Sequence, residues 1–231
     1  IDWALVERNL ARARSEGRLA CGSLRHGHTF LTLTYLCGYQ QVILDMADGE
    51  PRLLALIEML EGFNRATVQR YLDLGVEWMG YPEDLGMQRG PMLSPEQFRT
   101  TIRPVYERLM APALEAGCIV HMHSDGDIRS LADDLILSGV QVINLQDLVN
   151  GIDWIRDRLK GRICIDLDVD RQQVTRFGSP AQIDALIRRE VKELGSPQGG
   201  LMLNCGIYPG IPLGNMRALM DALTRYAGYY S

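Results

Sequence analysis

The sequence has no apolar run that approaches the ~20 residues needed to cross a bilayer, so it predicts no membrane-spanning segment. Its first residues, IDWALVER, do not have the pattern of a signal peptide. The five cysteines are odd in number and widely spaced, which argues against a disulfide framework and favours reduced thiols in a cytoplasmic protein. There is neither a phosphate-loop glycine spacing nor a G-x-S-x-G elbow, so nucleotide binding and serine hydrolase chemistry have no support.

Charge and composition narrow the class further. The net charge of −5 argues against nucleic acid or an anionic membrane as a partner. The 231 residues, 46% of them hydrophobic and 23% charged, are enough for one large globular domain with a substantial core. Since no low-complexity segment or linker divides the chain, we predict a single domain over residues 1–231.

Six short apolar runs, each ending in polar residues, alternate with amphipathic stretches of helical spacing. The runs cover residues 19–25, 76–81, 119–123, 140–146, 163–168 and 201–205. Helices are predicted over residues 52–73, 94–114, 127–137, 153–159, 179–194 and 215–226. Pro104 and Pro112 should kink or divide the second of these helices. Strands that alternate with helices predict an α/β fold with a parallel sheet, and their apolar character indicates that both faces are covered.

Two architectures compete for this pattern, an open doubly wound sheet and a (β/α)8 TIM barrel. In an open sheet, only the strands at the switch point need polar ends, whereas a barrel brings the carboxyl ends of all its strands to one mouth. Because all six runs end in polar groups, we favour the barrel. Six βα units are two fewer than eight, so the first two would precede Ile1.

The third run and the residues after it read I-V-H-M-H-S-D-G. Side chains alternate along a strand, so His121, His123 and, if the chain stays extended, Asp125 share one face. His121 lies deeper in the run and is interpreted as a core residue. His123 and Asp125 lie at the strand end, where imidazole and carboxylate suggest metal ligation or acid–base chemistry.

Two further residues are candidate metal ligands. Cys205 ends the last run and is followed at once by Gly206, which places its thiol at the presumed barrel mouth. A thiolate beside imidazole and carboxylate would make a zinc site with one open position. Glu77 falls inside the second run, where a buried carboxylate is costly unless it is paired or metal-bound.

The remaining strand ends carry candidate catalytic and substrate-binding groups. The acidic candidates for catalysis are Asp166 and Asp168, which share one face of the fifth run, and Asp84, after the second. Those for substrate binding are Arg25 and His26, which could hold an anion, and Asn144 and Gln146, at the end of the fourth run. The alternative for Arg25 and His26 is a solvated loop.

Four segments, in this order, together resemble the uroporphyrinogen decarboxylase superfamily, which includes the corrinoid-dependent methyltransferases. They read G-V-E-W-M-G-Y-P-E-D-L-G-M-Q-R-G-P-M-L-S-P-E-Q-F, H-S-D-G-D-I, G-V-Q-V-I-N-L-Q and N-C-G-I-Y-P-G-I-P-L-G-N-M. The resemblance extends from about Arg18 to the C-terminus. It implies a (β/α)8 barrel whose first two units precede Ile1, in agreement with the count of strands.

The resemblance also implies a metal site. The methyltransferases bind zinc through a His-x-Cys pair on one strand and a second cysteine at the last strand. Aligned on Gly126, His123 matches the histidine, Asp125 stands in place of the first cysteine, and Cys205 matches the second. Glu77 could supply another ligand. A carboxylate is a harder ligand than a thiolate, so the substitution by Asp125 would change the metal preference or the affinity of the site.

Three functions follow from the resemblance, in order of preference. The first is a methyltransferase that acts with a corrinoid-carrying partner protein and a small-molecule methyl donor or acceptor, with zinc as cofactor. The second is a metal-free decarboxylase of a tetrapyrrole or another polycarboxylate, held by basic groups such as Arg25 and His26. The third is a non-catalytic partner subunit for a corrinoid protein. Whether the chain forms a homodimer is left open.

Overall fold

The computed structural model describes residues 1–230 and has an α/β fold with six parallel strands in its main sheet. The chain forms two compact units, Ile1–Val142 and Ile143–Ser231. The α/β class and the parallel sheet are thereby confirmed, while the single domain stays a prediction. Within the described residues, no helix is both long enough and apolar enough to cross a bilayer.

The first unit contains three parallel strands, a small hairpin and most of the long helices. Its strands are β1 (Cys21–Ser23), β2 (Trp78–Pro82), β3 (Gly86–Met87), β4 (Gly90–Pro91) and β5 (Ile119–Ser124). Its helices are α1 (Trp3–Ser15), α2 (Phe30–Cys37), α3 (Tyr39–Asp48), α4 (Pro51–Asp73), α5 (Pro95–Gln97), α6 (Arg103–Glu115) and α7 (Ala132–Leu137). Strand β2 pairs in parallel with β1 on one side and with β5 on the other.

The two faces of this part of the sheet differ in burial because side chains alternate along each strand. Met79 and Tyr81 of β2 and Val120 and Met122 of β5 are fully buried. Helix α6 packs against β5 and α4 and covers this face. On the opposite face of the sheet, His121 and His123 of β5 are half-buried, so this face carries the polar side chains.

The second unit begins within β6 (Val142–Gln146) and contains further strands and helices in alternation. Its other strands are β7 (Cys164–Asp168) and β8 (Leu201–Asn204), which pair in parallel. Its helices are α8 (Asp147–Asn150), α9 (Ile152–Arg158), α10 (Val174–Phe177), α11 (Pro180–Leu194) and α12 (Leu213–Tyr226). The side chains of its core include Val169, Ile183, Ile187, Val191, Leu219 and Ala222.

All six apolar runs contain strands, which confirms the strand predictions. The helix predicted over residues 94–114 is divided into α5, a π-helical turn at Phe98–Ile102, and α6. Pro104 lies in the first turn of α6, where its missing N–H costs nothing, while Pro112 lies inside that helix. The helix predicted over residues 127–137 is shorter than expected, because α7 begins only at Ala132.

Candidate metal and catalytic site

The candidate site lies at the carboxyl ends of the first three parallel strands. His26 follows β1, Asp84 follows β2, and His123 is the penultimate residue of β5. Pro82 at the end of β2 is in register with His123. Parallel strands present their carboxyl ends at the same edge of a sheet, so residues far apart in the sequence meet there.

These three side chains converge on one oxygen atom. Nε2 of His26 lies 3.2 Å from Oδ1 of Asp84, and Nε2 of His123 lies 3.5 Å from the same oxygen. The three atoms that could bind a metal all lie within 4.8 Å of one another. The backbone N–H of Asp125 also donates to Oδ1 of Asp84, at 3.1 Å. The site therefore presents two imidazoles and a carboxylate, and His26 is exposed to solvent.

The environment of Asp84 favours its ionised form. Burial alone would raise the pKa of this carboxyl group. The hydrogen bonds from His123 and from the N–H of Asp125, together with the nearby imidazoles, overcome burial and lower the pKa to about 2. Asp84 is therefore an anion throughout the neutral range, as a metal ligand or a partner for an imidazolium must be.

Asp125, a predicted ligand, lies beside this group. Its Oδ1 is 3.7 Å from Nε2 of His123, and its N–H binds Asp84. Gly86 and Gly126 lie close together here. The N–H of Gly86 donates to the carbonyl of Asp125 at 3.2 Å, and this hydrogen bond helps to hold the backbone in place. Gly126 has a φ of 80°, in the left-handed region that favours glycine. The D-G dipeptide thus turns the chain sharply after β5.

Glu83 forms the buried frame of the site, a role that sequence reasoning missed. Its carboxylate accepts hydrogen bonds from the backbone N–H groups of Thr29, Phe30 and Leu31, at 2.9–3.1 Å. It also accepts the hydroxyl of Tyr106 at 2.8 Å. The side chain is fully buried, and these donors include N–H groups at the start of α2. The anchored segment follows directly on the loop that carries His26.

The structure corrects the placement of Glu77. Strand β2 begins only at Trp78, and Glu77 precedes it with an exposed side chain whose Oε2 accepts the N–H of Ala20 at 2.9 Å. Glu77 therefore lies at the amino end of β2, whereas His123 lies beside the carboxyl end. The whole length of β2 separates the two residues, so Glu77 is not part of the donor group formed by His26, Asp84 and His123.

Arg25 and His121 lie next to the donor group without being part of it. Arg25 is exposed, and its guanidinium donates to the hydroxyl of Thr32. The ring of His121 stacks on that of Trp78 with centroids 5.0 Å apart, which fits its interpretation as a packing residue. Substrate binding by Arg25 stays a prediction, whereas His26, assigned with it to substrate, joins the donor group.

In the second unit, the two candidate catalytic aspartates have different surroundings. Asp166 is half-buried and accepts the side-chain amide of Asn204 at 3.2 Å. The amide of Asn144 donates to the backbone carbonyl of Asp166 at 2.7 Å, so this buried asparagine braces the strand. Asp168 is buried and forms an ion pair with Arg171. A catalytic role for either aspartate stays a prediction.

Gln146 and Cys205 are also placed within the second unit. Gln146 is buried at the end of β6 and lines a small cavity together with Asp168. Cys205 follows β8, is half-buried, and packs against the core of this unit. Burial and the neighbouring Asp168 raise the pKa of its thiol, which disfavours the thiolate in the absence of a metal. Substrate binding by Gln146 and zinc binding by Cys205 stay predictions.

A pair of buried carboxyl groups in the second unit was not anticipated from the sequence. Asp147, at the start of α8, accepts the backbone N–H of Asp170 at 2.9 Å. Glu190 of α11, the other member of the pair, is fully buried, and neither of its carboxyl oxygens has a hydrogen-bond partner among the described residues. Burial, followed by the proximity of the acidic partner, raises the pKa of Glu190 well above its usual value. Burial also raises the pKa of Asp147. Burial therefore disfavours the ionised form of both carboxyl groups.

Comparison with known proteins gives the family. The family described as "Uroporphyrinogen decarboxylase (URO-D)" matches residues 16–226, so the chain belongs to this family, and its βα units belong to the TIM-barrel fold. A comparison with curated proteins found no match. The resemblance inferred from the strand-end segments is thereby confirmed at the level of the family.

Solved structures are similar in fold. A methyltransferase from Methanosarcina mazei has a TM-score of 0.72 at 14% identity, covering 99% of this chain and 65% of its own. A B12-independent methionine synthase from Shewanella sp. W3-18-1, in complex with selenomethionine, has a TM-score of 0.52 at 13% identity. In that case, the match covers 77% of this chain and 55% of the synthase. The chain thus spans less than two thirds of each of these structures.

Proposed function

We propose that this protein takes part in methyl transfer, with the reaction at the group formed by His26, Asp84 and His123. The observation that carries the proposal is the convergence of two imidazoles and an ionised carboxylate at the carboxyl ends of parallel strands. In barrels of this type, those ends carry the catalytic groups. The similarity in fold to two methyl-transfer enzymes supports the choice of reaction within the family.

The donor set fits a bound metal. Two imidazole nitrogens and a carboxylate oxygen are ligand types that zinc accepts, and three protein ligands leave a position for water or substrate. A metal held there would supply Lewis acidity, which lowers the pKa of a thiol or hydroxyl and so favours the nucleophile.

The protein's own groups prepare the site for such a role. Asp84 remains ionised at neutral pH and offsets positive charge at this edge of the sheet. The Asp125 N–H fixes the orientation of the Asp84 carboxylate, and His123 is carried by the rigid strand β5. His26 is exposed on its loop, so a substrate can reach the group from the solvent side.

We further propose a corrinoid carried by a partner protein as the methyl carrier, in line with the methyltransferases that the sequence resembles. The exposed side of His26 is where such a carrier would approach. A small-molecule methyl donor or acceptor would occupy the same opening. Family resemblance supports the corrinoid protein as the partner. The site geometry supports the position of the reaction.

The test is methyl transfer with free corrinoids, which avoids the need to know the partner. The purified chain would be incubated with zinc, methylcobalamin and a panel of thiols, and in the reverse direction with cob(I)alamin and methylated thiols, ethers and amines. We expect enzyme-dependent conversion between the two corrinoid spectra, and its loss in Asp84→Asn. Carbon dioxide release from uroporphyrinogen without corrinoid conversion would instead identify a decarboxylase and overturn the proposal.

A further inference from the structure

The geometry points to a metal site made of His26, Asp84 and His123, in which an aspartate and a loop histidine serve where the family resemblance implies thiolates. This inference rests on the proposed function for the metal's chemical role, but the site itself is tested by metal binding alone. The ligand set is complete within the first unit of the protein. It therefore does not require Cys205 as a ligand.

The distances between the three ligand atoms are close to those of a zinc site. Zinc bonds of about 2.1 Å in tetrahedral geometry separate neighbouring ligand atoms by about 3.4 Å. The two measured imidazole–carboxylate separations, 3.2 and 3.5 Å, lie on either side of that value. Both Nε2 atoms lie close to the same Oδ1, and the three candidate ligand atoms are all within 4.8 Å of one another.

Asp84 brings a carboxylate to the site and is held in place by the backbone. Asp84 accepts a backbone N–H from Asp125, the kind of contact that orients metal-bound carboxylates. Asp125 is not among the three residues whose ligand atoms lie within 4.8 Å of one another, and its Oδ1 is 3.7 Å from Nε2 of His123. We therefore assign Asp125 as a positioning residue and Asp84 as the ligand.

The three ligand atoms are two imidazole nitrogens and one carboxylate oxygen. Nitrogen and oxygen ligands are harder than thiolates, so the site should accept zinc, cobalt, iron or manganese. A site of two histidines and one carboxylate is used both by hydrolytic zinc enzymes and by non-haem iron proteins. Of these metals, we infer zinc, because Lewis acidity without redox chemistry is what heteroatom activation needs.

The experiment measures Zn²⁺ and Co²⁺ binding to the full chain after chelator treatment, by calorimetry and by the cobalt absorption spectrum. We expect one tight site, weakened at least about 10-fold in His26→Ala, Asp84→Asn and His123→Ala. Glu115→Gln, at an exposed position at the end of α6, should bind zinc as the parent does. The cobalt spectrum should show ligand-field bands without a thiolate-to-cobalt charge-transfer band.

The variant Cys205→Ala distinguishes a site formed by His26, Asp84 and His123 from one that includes Cys205. Unchanged zinc affinity in this variant supports the inference, whereas a loss as large as that of His26→Ala, or a thiolate charge-transfer band in the parent, overturns it. Circular dichroism and thermal unfolding of each variant check that the fold is retained, and His26, being exposed, should be replaced without unfolding. Tight zinc binding without any methyl transfer would reject the proposed function and leave the metal site standing. Methyl transfer without metal binding would reject the metal site and leave the proposed function standing.

Discussion

Gly126 and Gly86 approach each other so closely that neither has room for a side chain. A Cβ atom on Gly126 would lie 2.2 Å from the carbonyl carbon of Gly86, and one on Gly86 would lie 2.5 Å from the carbonyl carbon of Gly126. The neighbouring N–H of Asp125 is the group that orients Asp84. This contact between two backbone segments therefore sets the position of the donor group.

Gly126→Ala should destabilise the protein by at least about 2 kcal/mol, because the new methyl group meets backbone and φ is positive. Urea unfolding measures the change. The matched control is Gly62→Ala, since Gly62 lies on α4 with open space around it and should gain about 0.5–1 kcal/mol. Equal stability of Gly126→Ala and the parent would contradict the close approach.

Glu83→Gln should cost about 2–3 kcal/mol, because an amide has one acceptor oxygen where the carboxylate uses two, and a buried N–H is left without a partner. Tyr106→Phe is the comparison. It removes one donor to the same carboxylate while three backbone donors remain, so a loss of about 1 kcal/mol is expected. Denaturant unfolding of both variants shows which one loses more stability. A larger loss of stability in Tyr106→Phe than in Glu83→Gln would refute the framing role of Glu83.

The stability of the protein should depend on pH through Glu190. Its pKa in the folded state is raised above the ordinary 4.5, so its stabilising contribution is complete below that pH and is lost as pH rises through the raised value. Asp147 and Asp170 add negative charge around it, and Arg189 only partly offsets them. We expect Glu190→Gln to flatten the decline in the free energy of unfolding between acidic and alkaline pH.

The control for this titration is Glu115→Gln on the surface of α6, which should leave the pH dependence unchanged. The readout is thermal or urea unfolding over a pH series in one buffer system. A slope in Glu190→Gln as steep as in the parent would mean that the buried pair does not titrate.

Asp84→Asn should lower the rate of methyl transfer by about 100-fold or more, because it removes the charge on which both imidazoles converge. The amide is similar in size, and the group is half-exposed, so the fold should be retained. The measurement is the initial rate of corrinoid conversion, with Arg129→Ala as a control outside the donor group. A rate within twofold of the parent would exclude Asp84 from the reaction.

Much of the fold could be predicted from the sequence because its strands are short, apolar and separated by helical periodicity. Two helix starts were also predicted correctly, since the helices expected from residues 94 and 179 are capped by Ser94 and Ser179. The hairpin of β3 and β4 was not predicted, since two-residue strands have no periodicity to detect. The late start of α7 was not predicted either, because Asp127 pairs with Arg129 instead of starting the helix.

The candidate site was predicted only in part. His123 could be recognised from its position at the end of an apolar run, and His26 and Asp84 were recognised as polar groups after strands but were assigned to substrate contact and catalysis. Their convergence depends on β1, β2 and β5 lying side by side, which local sequence patterns do not specify. Glu77 was misplaced because the strand begins at Trp78, two residues later than its apolar pattern suggests.

The sequence by itself determined the α/β class, the six strands, the family and the presence of ionisable groups at the strand ends, because all of these depend on local composition and order. The tertiary structure decided which of those groups meet. His26 and Asp84 are 58 residues apart in the chain, yet their side chains lie 3.2 Å apart because parallel pairing aligns the carboxyl ends of neighbouring strands. Tertiary burial likewise turned Glu83 into a structural anchor and raised the pKa of Glu190 beside Asp147, since the cost of an unpaired charge depends on the surroundings that the fold creates.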